Sequence, residues 1–172
     1  QQLKSFDCGK LRRIGRSAYE GCDRLDRVEL KEGVCVEAHA FADCGGLREI
    51  CLSGEHIQLR EYAFSGCTAL ECVWIQGKKW AFTEYKDLLS ERFPELVRQL
   101  FYSAFSCFLV EEERVLRSYR GAGRKVKIPS GIRRIGAEVF RDVLMLREVE
   151  IPDSVEEIGA RAFHGTAWME EQ

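Results

Sequence analysis

Residues 60–75 read REYAFSGCTALECVWI, and the place of Cys67 in that stretch decides how the rest of the chain is read. Cys67 stands three residues after Phe64 and three before Leu70, and the same frame occurs twice upstream. Tyr19, Phe41 and Phe64 are separated by 22 and 23 residues. So are Cys22, Cys44 and Cys67; Leu25, Leu47 and Leu70; Val28, Ile50 and Val73; and Leu30, Leu52 and Ile75. The frame returns near the C-terminus, where Val126 and Val149, Ile128 and Ile151, Ile135 and Ile158, and Phe140 and Phe163 are each 23 apart. A truncated copy opens the chain, with Cys8, Leu11 and Ile14 in the Cys, Leu and Val slots. Self-similarity at such a period is the signature of a solenoid, in which one unit cannot bury its own apolar edge and must stack on its neighbours.

Each unit reads A-[FY]-x-x-C-x-x-L-x-x-[VI]-x-[LI], followed by a short turn and a second apolar pair such as Ile57 and Leu59. The L-x-x-V-x-L part alternates at period 2 in its last half, which predicts a short strand with its apolar side chains pointing inward. The Ala-Phe part just before it is expected to make one helical turn.

The strings IGRSAYEGCDRLDRVEL, REYAFSGCTALECVWI, VKIPSGIRRIGAEVF and VEIPDSVEEIGARAFHGTAW carry a family resemblance. Over residues 8–77 and 124–168 the chain resembles the BspA-type leucine-rich repeats of bacterial and some protozoan proteins, whose repeat runs I-P-x-x-V-x-x-I-G-x-x-A-F-x-x-C-x-x-L. It departs from that pattern before residue 78, where Leu30-Lys31 and Leu52-Ser53 replace the I-P pair. The resemblance implies an α/β repeat fold: a short leucine-rich-repeat solenoid with a parallel strand ladder, interrupted by a helical insert and a β-hairpin. It also implies a non-catalytic, cell-surface or secreted bacterial protein without a cofactor, binding a host matrix or surface protein.

Residues 78–107 do not fit the repeat. Phe82, Tyr85, Leu88 and Leu89 form one apolar stripe, and Phe93, Leu96, Val97, Leu100, Phe101 and Phe105 another, which predicts two helices at about 82–89 and 93–105, with Pro94 in a first turn. FLVEEERVLRSY then alternates like a hairpin with a charged tip at residues 111–114. The expected organisation is therefore repeats over 1–77, a helical insert over 78–107, a hairpin or cap over 108–123, and repeats again over 124–172. The insert reads as a cover over an array edge; the sharper alternative is that its exposed aromatics meet a partner.

Composition limits the function. The 172 residues are 45% apolar and 31% charged with a formal net charge of -2, so no whole-molecule attraction draws the chain to nucleic acid or an anionic membrane. No apolar run approaches the roughly 18 residues of a membrane span. The chain opens on glutamine, which reads as a trimmed or processed product whose export signal or anchor is to be sought outside it.

Eight cysteines permit disulfides in an exported protein, but their spacing argues for packing. The column of Cys22, Cys44 and Cys67 continues as Val143 and Thr166, and a slot that accepts valine is a packing slot. There is no C-x-x-C, and only His39, His56 and His164 could assist a metal site, so no metal ligand set is assigned. Cys51 and Cys72 fall on the outward phase of their strands and are expected to be exposed; an enzyme built on either is the weakest reading. No nucleophile elbow or phosphate loop occurs, and no catalytic residue is assigned.

What remains is the strand face. Its outward positions give the candidate partner-binding residues Arg27, Glu29, Glu49, Trp74, Lys125, Lys127, Glu148 and Glu150, with Lys125 expected opposite Glu148 and Lys127 opposite Glu150. Trp74 breaks the polar pattern: it is expected to lie under the insert's helices, or else to serve as an interface anchor. The first use for such a face is protein binding; the alternative is a structural spacer or self-assembling segment of a larger protein.

Overall fold

The computed structural model describes residues 3–172. The first array winds through paired short strands: β1 (Ser5–Asp7) and β2 (Arg13–Ile14), β3 (Arg27–Leu30) and β4 (Cys35–Val36), β5 (Glu49–Leu52) and β6 (Gln58–Leu59), then β7 (Cys72–Ile75). Equivalent strands of successive layers pair in parallel, β1-β3-β5-β7 on one face and β2-β4-β6 on another. From β3 onward the register follows the sequence columns: Val28 faces Ile50, Ile50 faces Val73, and Leu30, Leu52 and Ile75 stand in line. In the opening layer it does not follow the expected slots of Cys8, Leu11 and Ile14, for Phe6 is the residue that faces Val28, and Ile14 pairs with Val36 in the second ladder. Those inward columns are buried, with Val28, Leu30, Ile50 and Val73 fully so, apart from Ile75 at the last layer, which is half-buried.

Between the faces runs a turn, and here the expected helical turn does not form. His39 and Asp43 in one layer, and Tyr62 and Gly66 in the next, all take left-handed backbone angles, φ 59°, 54°, 58° and 77°. Two such residues within five positions break a right-handed helix. The bend they produce turns Phe41 and Phe64 inward, where Tyr19, Phe41 and Phe64 stack at centroid spacings of 5.3 Å with their planes nearly parallel. Aromatic pairs of this kind are worth about 0.5–1.5 kcal/mol beyond their area, so the spine helps fix the layer spacing.

The first ladder is ended by β8 (Lys78–Ala81), which folds back antiparallel on β7. This strand falls in the segment expected to be helical. On its inward side Trp80 opposes Val73 and meets Phe93 edge-on at 6.0 Å, while Lys78 opposes Ile75 at the rim. Next come α1 (Tyr85–Leu88) and α2 (Glu95–Phe105), both shorter than expected at their N-terminal ends. In the first, Asp87 accepts hydrogen bonds from the Thr83 hydroxyl and the Thr83 and Glu84 N–H groups, so the chain turns into the helix only there. In the second, Pro94 caps the helix from outside it. Val97, Leu100, Phe101 and Ala104 form the buried stripe of α2 and complete the first core.

A hairpin of β9 (Phe108–Glu111) and β10 (Val115–Tyr119) opens the second array, as its alternation predicts. There follow β11 (Lys125–Lys127), β12 (Arg134–Ile135), β13 (Glu148–Glu150) and β14 (Glu157–Ile158), and a terminal turn of helix, α3 (Ala167–Glu170). β11 pairs with β13, while β10, β12 and β14 form the second parallel ladder with β9 at its edge. A second aromatic spine runs Tyr119, Phe140, Phe163, and Trp168 of α3 closes it edge-on at 4.7 Å.

The two arrays do not share a ladder. β8 occupies the edge of β7 that β11 would otherwise extend, so the second array is set beside the first along a seam. There the Lys127 N–H donates to Thr68 Oγ1 at 2.8 Å, Lys127 Nζ lies 3.1 Å from Glu71 Oε1, and the Ala122 N–H donates to Asp43 Oδ1 at 3.4 Å. Gly45 makes the approach possible: a Cβ there would stand 2.1 Å from the Lys125 carbonyl oxygen.

Candidate interaction surface

The outward face of the five-stranded sheet is built in rows across the strands. One row runs Ser5, Arg27, Glu49, Cys72 and Ala81; the next runs Asp7, Glu29, Cys51, Trp74 and Lys79. Arg27, Glu29, Glu49 and Trp74 therefore come together on one sheet. Lys125, Lys127, Glu148 and Glu150 lie on the separate sheet of β11 and β13, in the expected register of Lys125 opposite Glu148 and Lys127 opposite Glu150.

Most of these charges are already paired. Arg27 Nη1 is 2.9 Å from Glu49 Oε2, Ser53 donates to Glu29 Oε1 at 3.1 Å, and Lys31 Nζ is 2.6 Å from Asp7 Oδ2. Lys125 Nζ lies 3.0 Å from Glu148, and Lys127 Nζ 4.0 Å from Glu150. At such exposure each pair is worth about 0–1 kcal/mol, so their effect is less on stability than on holding the side chains in one arrangement. Lys127 has a second role, since it also holds Glu71 across the seam.

Cys51 and Cys72 point outward as their phase requires, yet they are buried, 5% and 3% exposed. The reason is length: a thiol set in a row between longer side chains is roofed by them. Cys51 sits between Glu29 and Trp74, and Cys72 beside Glu49, to which its Sγ donates at 3.4 Å. Burial raises the pKa of both thiols, against the pull of Arg27 on Cys51; with Glu49 adding its charge, Cys72 is pushed up to about 11. Neither is an activated nucleophile. In the core column, Cys67 Sγ donates to the Phe41 carbonyl at 3.1 Å and Cys44 Sγ to the Tyr19 carbonyl at 3.2 Å. All eight cysteines are free thiols, and among the described residues no group of three or more His, Cys, Asp or Glu is placed to hold a metal ion.

Trp74 is half-buried, but the helices are not what covers it. They pack on the inner side of the sheet, joining the core that contains Val73, whereas Trp74 points the other way. Its flanking residues are Cys51 and Lys79, whose Nζ stands 5.5 Å from the ring centroid, within cation–π range. The indole Nε1 is buried and has no hydrogen-bond partner among the described residues. Lys79 belongs to this face and was missed from the sequence because Lys78–Ala81 shows no strand-like alternation.

Between the arrays lies an open cleft of about 660 Å³ lined by Glu20, Asp23, Arg24, Arg124, Arg147 and Glu148 among others. Burial raises the pKa of Asp23 while Arg124 opposes it, so the cleft is polar and mixed in sign. Among the described residues, no helix is long and apolar enough to cross a membrane.

No curated protein matches the chain. Among solved structures, a leucine-rich repeat protein from Bacteroides ovatus ATCC 8483 is similar at 19% identity and a TM-score of 0.36, over 94% of this chain and 34% of that one. A leucine rich cell surface protein from Faecalibacterium prausnitzii A2-165 is similar at 22% identity and a TM-score of 0.30, over 88% of this chain and 48% of that one. The chain thus spans less than half the length of either. The BspA type leucine rich repeat region matches in six copies over residues 2–108 and 119–171, taking in residues 78–107, where the motif's columns lapse. With the period, the stacked columns and the parallel ladders, this match shows that the chain belongs to the BspA-type leucine-rich repeat family.

Proposed function

We propose that this chain is a non-catalytic protein-binding module of a cell-surface or secreted bacterial repeat protein, and that it engages a host matrix or surface protein through the outward face of its ladders. The observation that carries the reading is Trp74. It is a large, half-buried ring set in a face of paired charges, between the roofed Cys51 and the Lys79 ammonium. An aromatic residue beside buried, water-excluding neighbours and rimmed by charge has the make-up of an interface anchor. Arg27, Glu29 and Glu49 hold the rim in place, which lowers the ordering cost of binding. Lys125, Glu148 and Glu150 extend the charged surface across the seam, while Lys127 contributes there mainly as a tie between arrays.

The test is capture of matrix and surface proteins by the immobilised chain, compared with Trp74→Ala combined with Arg27→Ala. Capture by the parent that falls by tenfold or more in a folded variant supports the face. Undiminished capture rejects it.

A further inference from the structure

The two ladders of the first array end differently. β1-β3-β5-β7 is closed by the backfolded β8, whereas β2-β4-β6 stops at β6, because the chain that would supply its next strand has turned away into β8, α1 and α2. Both neighbours of Leu59 donate to the preceding layer, the Gln58 N–H to the Val34 carbonyl and the Arg60 N–H to the Val36 carbonyl, each at 2.9 Å. Peptide groups along a strand alternate between its two edges, so the Leu59 N–H and C=O face away from β4. They have no backbone partner among the described residues.

The turn after β6 repeats the deficit. In the layers before it, the Tyr19 N–H donates to the Ala40 carbonyl and the Phe41 N–H to the Ala63 carbonyl, both at 2.8 Å; in the second array the Phe140 N–H donates to the Ala162 carbonyl at 2.7 Å. Phe64 stands in that slot, and among the described residues its N–H meets no backbone carbonyl. Helix α2 replaces one bond of the missing layer, for the Gly66 N–H donates to the Ala104 carbonyl at 3.1 Å. What it leaves is a groove of about 210 Å³ between Leu59–Phe64 and the side of the helix that carries Gln99, Leu100 and Ser103. Ser103 Oγ is buried in the wall with no hydrogen-bond partner among the described residues. At the mouth, Tyr62 is 52% exposed and stacks on His39 at 5.6 Å.

We propose that this groove binds an extended segment of a partner protein, laid parallel to β6 as the fourth strand of its ladder. Main-chain groups are what the groove lacks, and an extended segment supplies them. The Leu59 N–H takes one carbonyl of the segment, the Leu59 carbonyl takes an N–H two residues further on, and the Phe64 N–H and Ser103 hydroxyl donate to a carbonyl beyond that. A helix could not serve, since its own N–H and C=O groups are spent internally. Leu59, Ala63 and Leu100 give the groove apolar walls that admit one inward aliphatic or aromatic side chain. Arg60 and Glu61 at the rim offset each other, so the segment is uncharged where it lies in the groove, and proline is excluded at the residue that donates to Leu59. No residue of the Trp74 face takes part, so this site stands or falls separately from the proposed function.

The probes are labelled hexapeptides in which threonine alternates with alanine, valine, leucine or phenylalanine, titrated onto the folded chain by fluorescence anisotropy and followed by amide exchange. At least one of them should bind saturably and slow exchange at Leu59 and Phe64 about tenfold or more, while Arg60, already bonded to Val36, is unchanged. N-methylation of alternate residues of the bound peptide should abolish binding on the phase that faces β6 and leave it intact on the other. Gln99→Trp, at an exposed position on the groove wall, should weaken binding about tenfold or more while the melting temperature is kept, and Trp74→Ala should leave binding as it is. Failure of every peptide to bind overturns the proposal, and so does binding that Gln99→Trp or methylation on either phase leaves untouched. Self-association of the chain that Gln99→Trp abolishes would give the groove to a second copy and overturn its assignment to a partner segment.

Discussion

Lys127 is tied to Thr68 by its backbone N–H, which donates to the threonine hydroxyl at 2.8 Å, while its side chain reaches Glu71 on the same array. Thr68 is itself buried, so the bond lies inside the seam. Replacing Thr68 by Val keeps the shape and leaves the Lys127 N–H without an acceptor, at a cost of about 1–3 kcal/mol. Amide exchange at Lys127 should speed up while exchange in β3 and β5 does not change. Gly45→Ala attacks the same seam by steric means, and its loss should be at least as large.

The cysteine column is a matter of packing. Cys67→Val should cost less than about 1.5 kcal/mol, since Val143 already fills the equivalent slot of the second array. Phe64→Ala removes the last ring of the first spine and should cost about 3–5 kcal/mol. Urea denaturation of both variants checks the contrast; equal losses would mean that the Cys67 thiol and its bond to Phe41 matter more than its volume.

Thiol reactivity should follow burial and not strand phase. With Cys72 held near 11, only about one molecule in ten thousand carries the thiolate there at pH 7. Half-buried Cys35 and Cys22 should therefore alkylate first, Cys51 and Cys72 slowly, and the fully buried Cys44 and Cys67 only on unfolding. Peptide mapping by mass spectrometry gives the order, and early labelling of Cys72 would contradict the roofing of that row.

Asp87 gives the fold a defined acid limb. Hydrogen bonds from the Thr83 hydroxyl and N–H, with Arg92 and the Glu84 N–H, hold its carboxyl below the usual carboxylate range. A carboxyl depressed in the folded state contributes stability above its unfolded pKa and loses it as the pH falls through the folded value. The contribution should thus be intact at pH 5 and decline below about pH 4. Asp87→Asn should lower stability at pH 7 and flatten the decline between pH 4 and 2, as measured by denaturation at stepped pH.

The repeat columns were legible because stacking places like residues on like: a fixed period in Phe41, Cys44, Leu47 and Ile50 is itself the register of the ladders. The Lys125–Glu148 and Lys127–Glu150 pairs followed from that register. Burial of Cys51 and Cys72 did not follow, since it depends on how long their row neighbours are. β8 left no pattern, having one inward apolar residue, Trp80, after two lysines. The offset of the second array was equally hidden, because it rests on a backbone N–H, a hydroxyl and the missing side chain of Gly45. Of the candidate face, the membership of each residue could be read, but not the division into two sheets or the place of Lys79 beside Trp74.

The backfolded strand β8 also sets an order of assembly. Ladder bonds join partners one layer apart, whereas the seam bonds span 56 to 79 residues. A chain leaving the ribosome can finish its first array, with the growing edge sealed by β8 and α2, before the rest of the second array has emerged. An unbroken solenoid of the same length would hold an open apolar edge throughout its synthesis, exposed to its neighbours on the polysome. Here the nascent chain has a resting point, and the second array docks onto a body that is already closed.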